Sequence, residues 1–515
     1  MFFQNRNALR FGLLLSGLIL FGCGSNDKKL PVPNPVTPPA DENPSAQPIP
    51  DGVWDQIGFG RALNVTGETV DIYDFTRETC LKVGNTTQDE LIKTLIIDTV
   101  DSDEFVATED GAMLVYSKRD AVPAACLDDR LITENGPVAT LEHIIHNFND
   151  YYRFFELRGI LDWEERTENA RTQVNSQTTD QELLNTLISL IADLGDGHVM
   201  LAAGDDFEFF PINQVGKVED VLETGFQNQS EIADFGEYAN AQFQRMAEIR
   251  DSYFDDGSLK MAGGENQDTF QWATMGNGVV GYIEIRSMGG ISDNSAQNDV
   301  AASEEIMDAI LTDLANTEAL IINVWENGGG DLAVTDTIAS RFSTEKVMVS
   351  SYETIGYDDA QMQQRSRRVN RELAPTERVS YSRPIATISG PNTFSAAEHF
   401  LLSMRALNHP VCFIGEPSDG ILSAVLEKQL PTENALLGLS NMITYDHTGQ
   451  AFEAIGVPVD IEASTFKVVD SDTQRNDAID AAITALGFGY LANNNNPADD
   501  CALMEARTRL EMSAP

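Results

Sequence analysis

The chain has 515 residues, 42% of them hydrophobic, which suffices for two or three packed domains and exceeds what one core can hold. Its 81 acidic residues against 34 basic ones give a formal charge of −47, spread along the chain and not gathered into a tail. Such a surface repels phosphate backbones and argues against nucleic acid as a partner, while it suits a solvated exterior.

The first 22 residues read as a signal peptide. Arg6 and Arg10 precede the apolar run "FGLLLSGLILF" at 11–21, too short to cross a bilayer but long enough for the core of an export signal. "LFGC", ending at Cys23, resembles the lipobox of bacterial lipoproteins. That resemblance implies a lipidated Cys23, a membrane anchor and a place in a bacterial cell envelope, facing the periplasm or the outside. Residues 23–52 are proline-rich and polar and read as an extended tether. Export permits disulfides, and Cys80 with Cys126 can bridge the segment that follows. No cysteines have C-x-x-C spacing and no histidine-rich tract accompanies them, so neither a metal site nor a cofactor is expected.

Residues 53–130 alternate with the strand period, as in "LNVTGETVDIYDF" and "MLVYSK", and predict a small all-β domain. Residues 131–201 predict a helical subdomain. Leu141, Ile144, Ile145, Phe148, Tyr152 and Phe155 share one face, and a second helix carries Leu183, Leu187 and Ile191. That helix runs into "DLGDGH", where Gly195 can act as its stop, which places His198 on a tight turn just beyond. Residues 202–275 are acidic and mixed and read as a linking segment with a helix around "YANAQFQRMAEI". From 276 to 480 strands at 279–285, 319–325, 384–389 and 411–415 alternate with helices, the pattern of an α/β fold with a largely parallel sheet. Residues 481–515 form a C-terminal tail. In open parallel sheets ligands gather at the carboxyl ends of the strands, and both "NGGGD" (327–331) and "TFSAAEHF" (393–400) sit at such ends.

"TFSAAEHF" has two readings. Ser395 and Glu398 have the spacing of a capping box, in which the hydroxyl satisfies a free N–H at a helix start. Ser395 is also placed as a nucleophile, because the N–H of Ala396 points to a helix mouth that favours negative charge. Acyl transfer further needs a base and a second oxyanion donor. The glycines at 328–330 can supply the donor. Among six histidines, His198 is the best base by context: His143 and His146 lie in a helix, His399 is one turn from Ser395 and His409 precedes Pro410.

The order of motifs resembles the tricorn-core and C-terminal-processing (tail-specific) serine peptidases. "LGDGHVML", "GYIEI", "ALIINVWENGGG", "TFSAAE", "IGEPSDG" and "FEAIGVPVDI" follow that family's blocks from about 140 to 465. The resemblance implies a ClpP/crotonase-like parallel-sheet core and cleavage of peptide or protein substrates. One branch of the family uses a lysine after the "GE…G" turn as base, a position held here by Ile421, with Lys428 seven residues further on. The tricorn-like branch uses a histidine in the first block and a glutamate before the "GV-P" turn, which match His198 and Glu453. The resemblance therefore implies Ser395, His198 and Glu453 as catalytic, with Ala396, Gly329 and Gly330 around the oxyanion. The serine that normally precedes the histidine is Gly197 here, which leaves three alternatives: a water makes the link between base and acid, Asp196 makes it, or the base is less well oriented. Asn323 and Trp325 replace an acid and an arginine, and no PDZ module is evident before "GYIEI". Two other classes compete with an endopeptidase or carboxy-terminal-processing peptidase. One is a weak or inactive peptidase-fold protein that binds peptides or hydrophobic ligands; the other is a scaffolding lipoprotein that works through its β domain.

Overall fold

The computed structural model describes residues 48–492, apart from 101, 110–111, 128–129, 134, 204–206, 210–216, 266, 293–295, 358–362, 433–434 and 470–474. The expected signal peptide, Cys23, most of the tether and the tail beyond 492 lie outside the described residues.

Seven antiparallel strands between Gly52 and Arg119 form the first sheet, interrupted by one short helix, Gln88–Thr94. That helix starts at a complete capping box, with Thr87 and Glu90 each accepting the other's backbone N–H. A disulfide joins Cys80, at the start of strand Cys80–Thr87, to Cys126 in the turn Ala124–Cys126.

The central sheet also has seven strands, in the order Lys260–Ala262, Phe270–Met275, Val280–Ile285, Ala319–Asn323, Ile385–Ser389, Val411–Gly415 and Ile461–Glu462. The last five run parallel, as the alternation of strands and helices predicts. The first two are antiparallel and come from the segment read as a linker, so the sheet reaches back before 276. Both faces are covered, which is why Ala319–Asn323 is buried at every position. Leu320 and Ile322 face helices Ala296–Asp313, Leu332–Ser340 and Ala396–Ala406. Ala319 and Ile321 face helices Lys217–Gln227, Phe235–Asp251 and Asp477–Ala485. Helix Asp477–Ala485 thus extends past 480 into the stretch read as a tail, because Ala482, Ile483 and Ala485 are needed to cover that face.

A smaller sheet positions the site. Strand Met200–Ala203 pairs antiparallel with Ala435–Ser440, in the register Leu201 opposite Leu437, and Ala435–Ser440 pairs in turn with Val425–Gln429. Helices Pro137–Tyr151 and Asp180–Ile191 pack between this sheet and the first one in a single apolar cluster that includes Trp54, Phe148, Leu187 and Leu437. The helical segment is therefore stitched into the α/β part by its last strand, which begins two residues after His198.

Candidate active site

Helix Asp180–Ile191 stops earlier than expected, with Ala192 as its C-cap, and Gly195 instead bends the turn that follows. Asp196 shapes that turn: its Oδ1 accepts the His198 N–H at 3.0 Å and the Ser440 hydroxyl at 2.9 Å, and its Oδ2 accepts the Tyr152 hydroxyl at 3.0 Å. Strand Ile385–Ser389 delivers Ser395 from the other side, six residues beyond its end. The two meet: Ser395 Oγ lies 3.0 Å from His198 Nε2, although 197 positions separate them in the chain.

The backbone of Ser395 has φ 58° and ψ −128°, a conformation that non-glycine residues adopt only under strain. Only half of the capping box forms there. Glu398 Oε2 accepts the Ser395 N–H at 3.1 Å, but the Glu398 N–H goes to the Ser395 carbonyl, which leaves Oγ turned toward His198. The rest of the Glu398 carboxylate holds the 418–421 strap, accepting from Ser418 Oγ (2.6 Å) and from the N–H groups of Gly420 and Ile421 (2.8 Å each). Burial pushes this carboxyl up to about 7 against those bonds.

The expected oxyanion donors divide. Among the described residues no protein acceptor takes the N–H of Ala396 or of Gly330. The N–H of Gly329 is instead donated to Asn327 Oδ1 at 2.9 Å, so Gly329 is not a free donor. Its contribution is space: a Cβ there would stand 2.7 Å from Ser395 Cβ and 3.0 Å from the Ala396 nitrogen, on a backbone with φ +98°.

Glu453 is buried nearby but makes no hydrogen bond to His198. Its Oε2 accepts the N–H groups of Leu422 and Ser423 at 2.9 Å each, and its Oε1 pairs with Arg158 at 2.8 Å. Burial and the neighbouring Asp196 raise its carboxyl, against the pull of Arg158. Among the described residues His198 Nδ1 has no hydrogen-bond partner of normal geometry, although the Ser423 backbone lies near enough to favour the charged ring. Burial lowers the basicity of His198 and Arg158 adds to that, while Asp196 and the Ser423 backbone oppose it.

The other candidates fall away from Ser395 and His198. His399 turns its Nε2 to the Leu422 carbonyl (3.1 Å), and burial drives it down to about 3. Lys428 is fully buried against the first sheet, with its ammonium on the Gly60 carbonyl at 2.7 Å. Asn323 donates to the Tyr282 hydroxyl (2.8 Å), and Trp325 stacks on Phe466 and Phe243. The sequence reading missed Arg158, whose one local signal is a cation followed by glycine inside the aromatic stretch "YYRFFELRGIL".

The comparisons with known proteins agree with this arrangement at the level of family. Residues 279–463 match the model of Peptidase family S41; Ser395 and Glu453 fall inside that span and His198 before it. A candidate peptidase from Parabacteroides merdae, known from a crystal structure, is 21% identical; the match covers 68% of this chain and 97% of that one, with a TM-score of 0.52, and shows a shared fold. Mature CPAF aligns at 14% identity over 70% of this chain and 99% of its own, with a TM-score of 0.48. The photosystem II D1 C-terminal processing protease aligns at 10% identity over 64% and 93%, with a TM-score of 0.34. No curated protein matches the chain in sequence. Over residues 279–463 the chain carries a region that matches peptidase family S41, a family of serine-type hydrolases.

Proposed function

We propose that this chain cleaves peptide bonds through an acyl-enzyme on Ser395, with His198 as general base. The observation that carries the reading is the 3.0 Å contact between Oγ and Nε2, made at a strained turn that opens a helix. Nε2 takes the hydroxyl proton as Oγ attacks the scissile carbonyl, and the N–H groups of Ala396 and Gly330 receive the oxyanion. The imidazolium then protonates the leaving amine, and water resolves the ester by the same route in reverse. Asp196, through its charge, stabilises the imidazolium. Glu453 serves the site through the 422–423 backbone and Arg158.

Ser395→Ala is expected to abolish both peptide cleavage and labelling by a serine-directed fluorophosphonate, with the circular dichroism spectrum unchanged. A wild-type chain that is never labelled and cleaves nothing in a broad peptide library would overturn the assignment.

The same reading places the enzyme outside the cytoplasm, on a lipid at Cys23, with a peptide or protein tail as substrate. The Cys80–Cys126 disulfide supports an oxidising compartment. Cys23→Ser is expected to move the protein from the membrane to the soluble envelope fraction; retention in the membrane would remove the anchor from the scheme.

A further inference from the structure

The half of the chain that carries the base and the half that carries the nucleophile meet at one guanidinium. Arg158 sits in the turn between helices Pro137–Tyr151 and Trp163–Gln173, closed by the Ile160 N–H on the Phe155 carbonyl at 2.8 Å. Its side chain is only 8% exposed and reaches four oxygens in three stretches of chain, three by hydrogen bonds and Asp196 Oδ2 by an ion pair. On the side of the base, Nη1 donates to the Gly195 carbonyl and Nε lies 3.3 Å from Asp196 Oδ2. On the side of the nucleophile, Nη2 donates to Glu453 Oε1 at 2.8 Å and to the Gly420 carbonyl at 3.4 Å. Asp196 fixes the His198 backbone, and the residue after Gly420, Ile421, accepts the Ser395 N–H on its carbonyl at 3.1 Å. Each half of the reacting pair is thus one link from the same planar cation.

We propose that Arg158 is a positioning residue of the Ser395–His198 pair: its guanidinium clasps the 195–196 turn to the 420–453 strap and so sets the distance between base and nucleophile. The inference rests on the catalytic reading of those two residues. A guanidinium suits this task because it is planar and offers five donors in a fixed fork, whereas an ammonium is a point charge on a flexible stem. The clasp also holds Asp196 and Glu453, two buried carboxylates, on either side of one cation, so its loss exposes His198 to uncompensated negative charge. The charged and titratable groups around His198 are Asp196 on its own turn, Arg158, Glu453 and Asp419 across the strap, and His399 on the helix after Ser395.

The test is the second-order rate of fluorophosphonate labelling of the full chain across pH 4 to 9. Arg158→Met is expected to slow labelling roughly 100-fold, the scale at which about 1 Å of misplacement costs rate. It should also move the acid limb to higher pH, because the cation that disfavours imidazolium is gone and the two carboxylates remain. Arg158→Lys keeps the charge but cannot span four acceptors, so its limb should stay near that of the wild type while the rate still falls roughly tenfold. Arg171→Met, which breaks half-exposed pairings with Glu142 and Glu168 and no contact with Ser395 or His198, is the control expected to label normally. If Arg158→Met does not fold, Arg158→Lys decides. A folded Arg158 variant labelled within about threefold of wild type, with its limb in place, overturns the clasp. Labelling that survives His198→Ala undiminished instead overturns the underlying catalytic reading.

Discussion

Ser395 holds a backbone conformation that glycine would adopt freely, and the cost is local to that residue. Ser395→Gly is therefore expected to be more stable than Ser395→Ala by about 1 kcal/mol, although both are inactive, which paired urea titrations can measure. Equal midpoints for the two variants would contradict a strained backbone at this position. His198 makes a second prediction. Burial lowers its basicity below the 6.5 of an unperturbed imidazole, so the neutral form that the proposed mechanism needs persists to lower pH. The acid limb of the labelling rate should accordingly lie below 6.5, and a limb above 7 would contradict the burial argument. At this scale Ser395 and His198 were readable because each sits in a short motif of small residues whose order along the chain is distinctive. The partner of Glu453 was not, since Arg158 reaches it across 295 positions and nothing in the spacing marks the pair. Nor was the loss of Gly329 as a donor, which depends on the rotamer of Asn327.

The glycine turn at 327–330 and the start of helix Ala396–Ala406 fit against each other so closely that no methyl group has room between them. Gly329→Ala would press a Cβ to 2.7 Å from Ser395 and to 2.9 Å from the Phe394 carbonyl, on a backbone that disfavours any side chain. We expect a loss of at least ~100-fold in labelling with only about 1–3 kcal/mol of destabilisation, separable by comparing labelling rate with urea midpoint. The same substitution at Gly67, also at positive φ but with nothing within 4 Å, should cost stability alone. The parallel strands and their helices were legible because fully buried strands are continuous apolar runs and surface helices keep the 3.6-residue period. Strands Lys260–Ala262 and Phe270–Met275 were not, since "KMA" is three residues long and "FQWATM" mixes polar with apolar. Phe270–Met275 is placed by its neighbour Val280–Ile285, and Lys260–Ala262 in turn by Phe270–Met275, not by their own pattern.

Across the whole molecule, the first sheet is held to the rest by a buried charge cluster as well as by shared apolar packing. Lys428, on the strand Val425–Gln429, reaches Asp74 at 3.3 Å, and Asp74 also accepts Arg61 at 2.9 Å. Burial alone would raise Asp74, but Lys428 and Arg61 outweigh it and hold the carboxyl down to about 2. A depressed carboxylate contributes stability that is complete above its unfolded value of 3.8 and is lost as pH falls toward 2. The protein should therefore lose stability across that window, and less steeply in Lys428→Met, where Asp74 is held down by Arg61 alone. At neutral pH Lys428→Met is expected to cost about 3–5 kcal/mol, read from chemical denaturation, because it leaves Asp74 buried with one partner fewer. An unchanged midpoint would show that the cluster adds nothing to the docking of the first sheet.

The distance in the chain between His198 and Ser395 also has a meaning in time. A ribosome adds ~5–20 residues per second, so roughly 10–40 s pass after the histidine is made before the serine exists. During that interval the growing polypeptide carries a base with no nucleophile, and a product of premature termination stays in that state permanently. A hydrolase assembled in this order is harmless to its own nascent chain until residue 395 has been added.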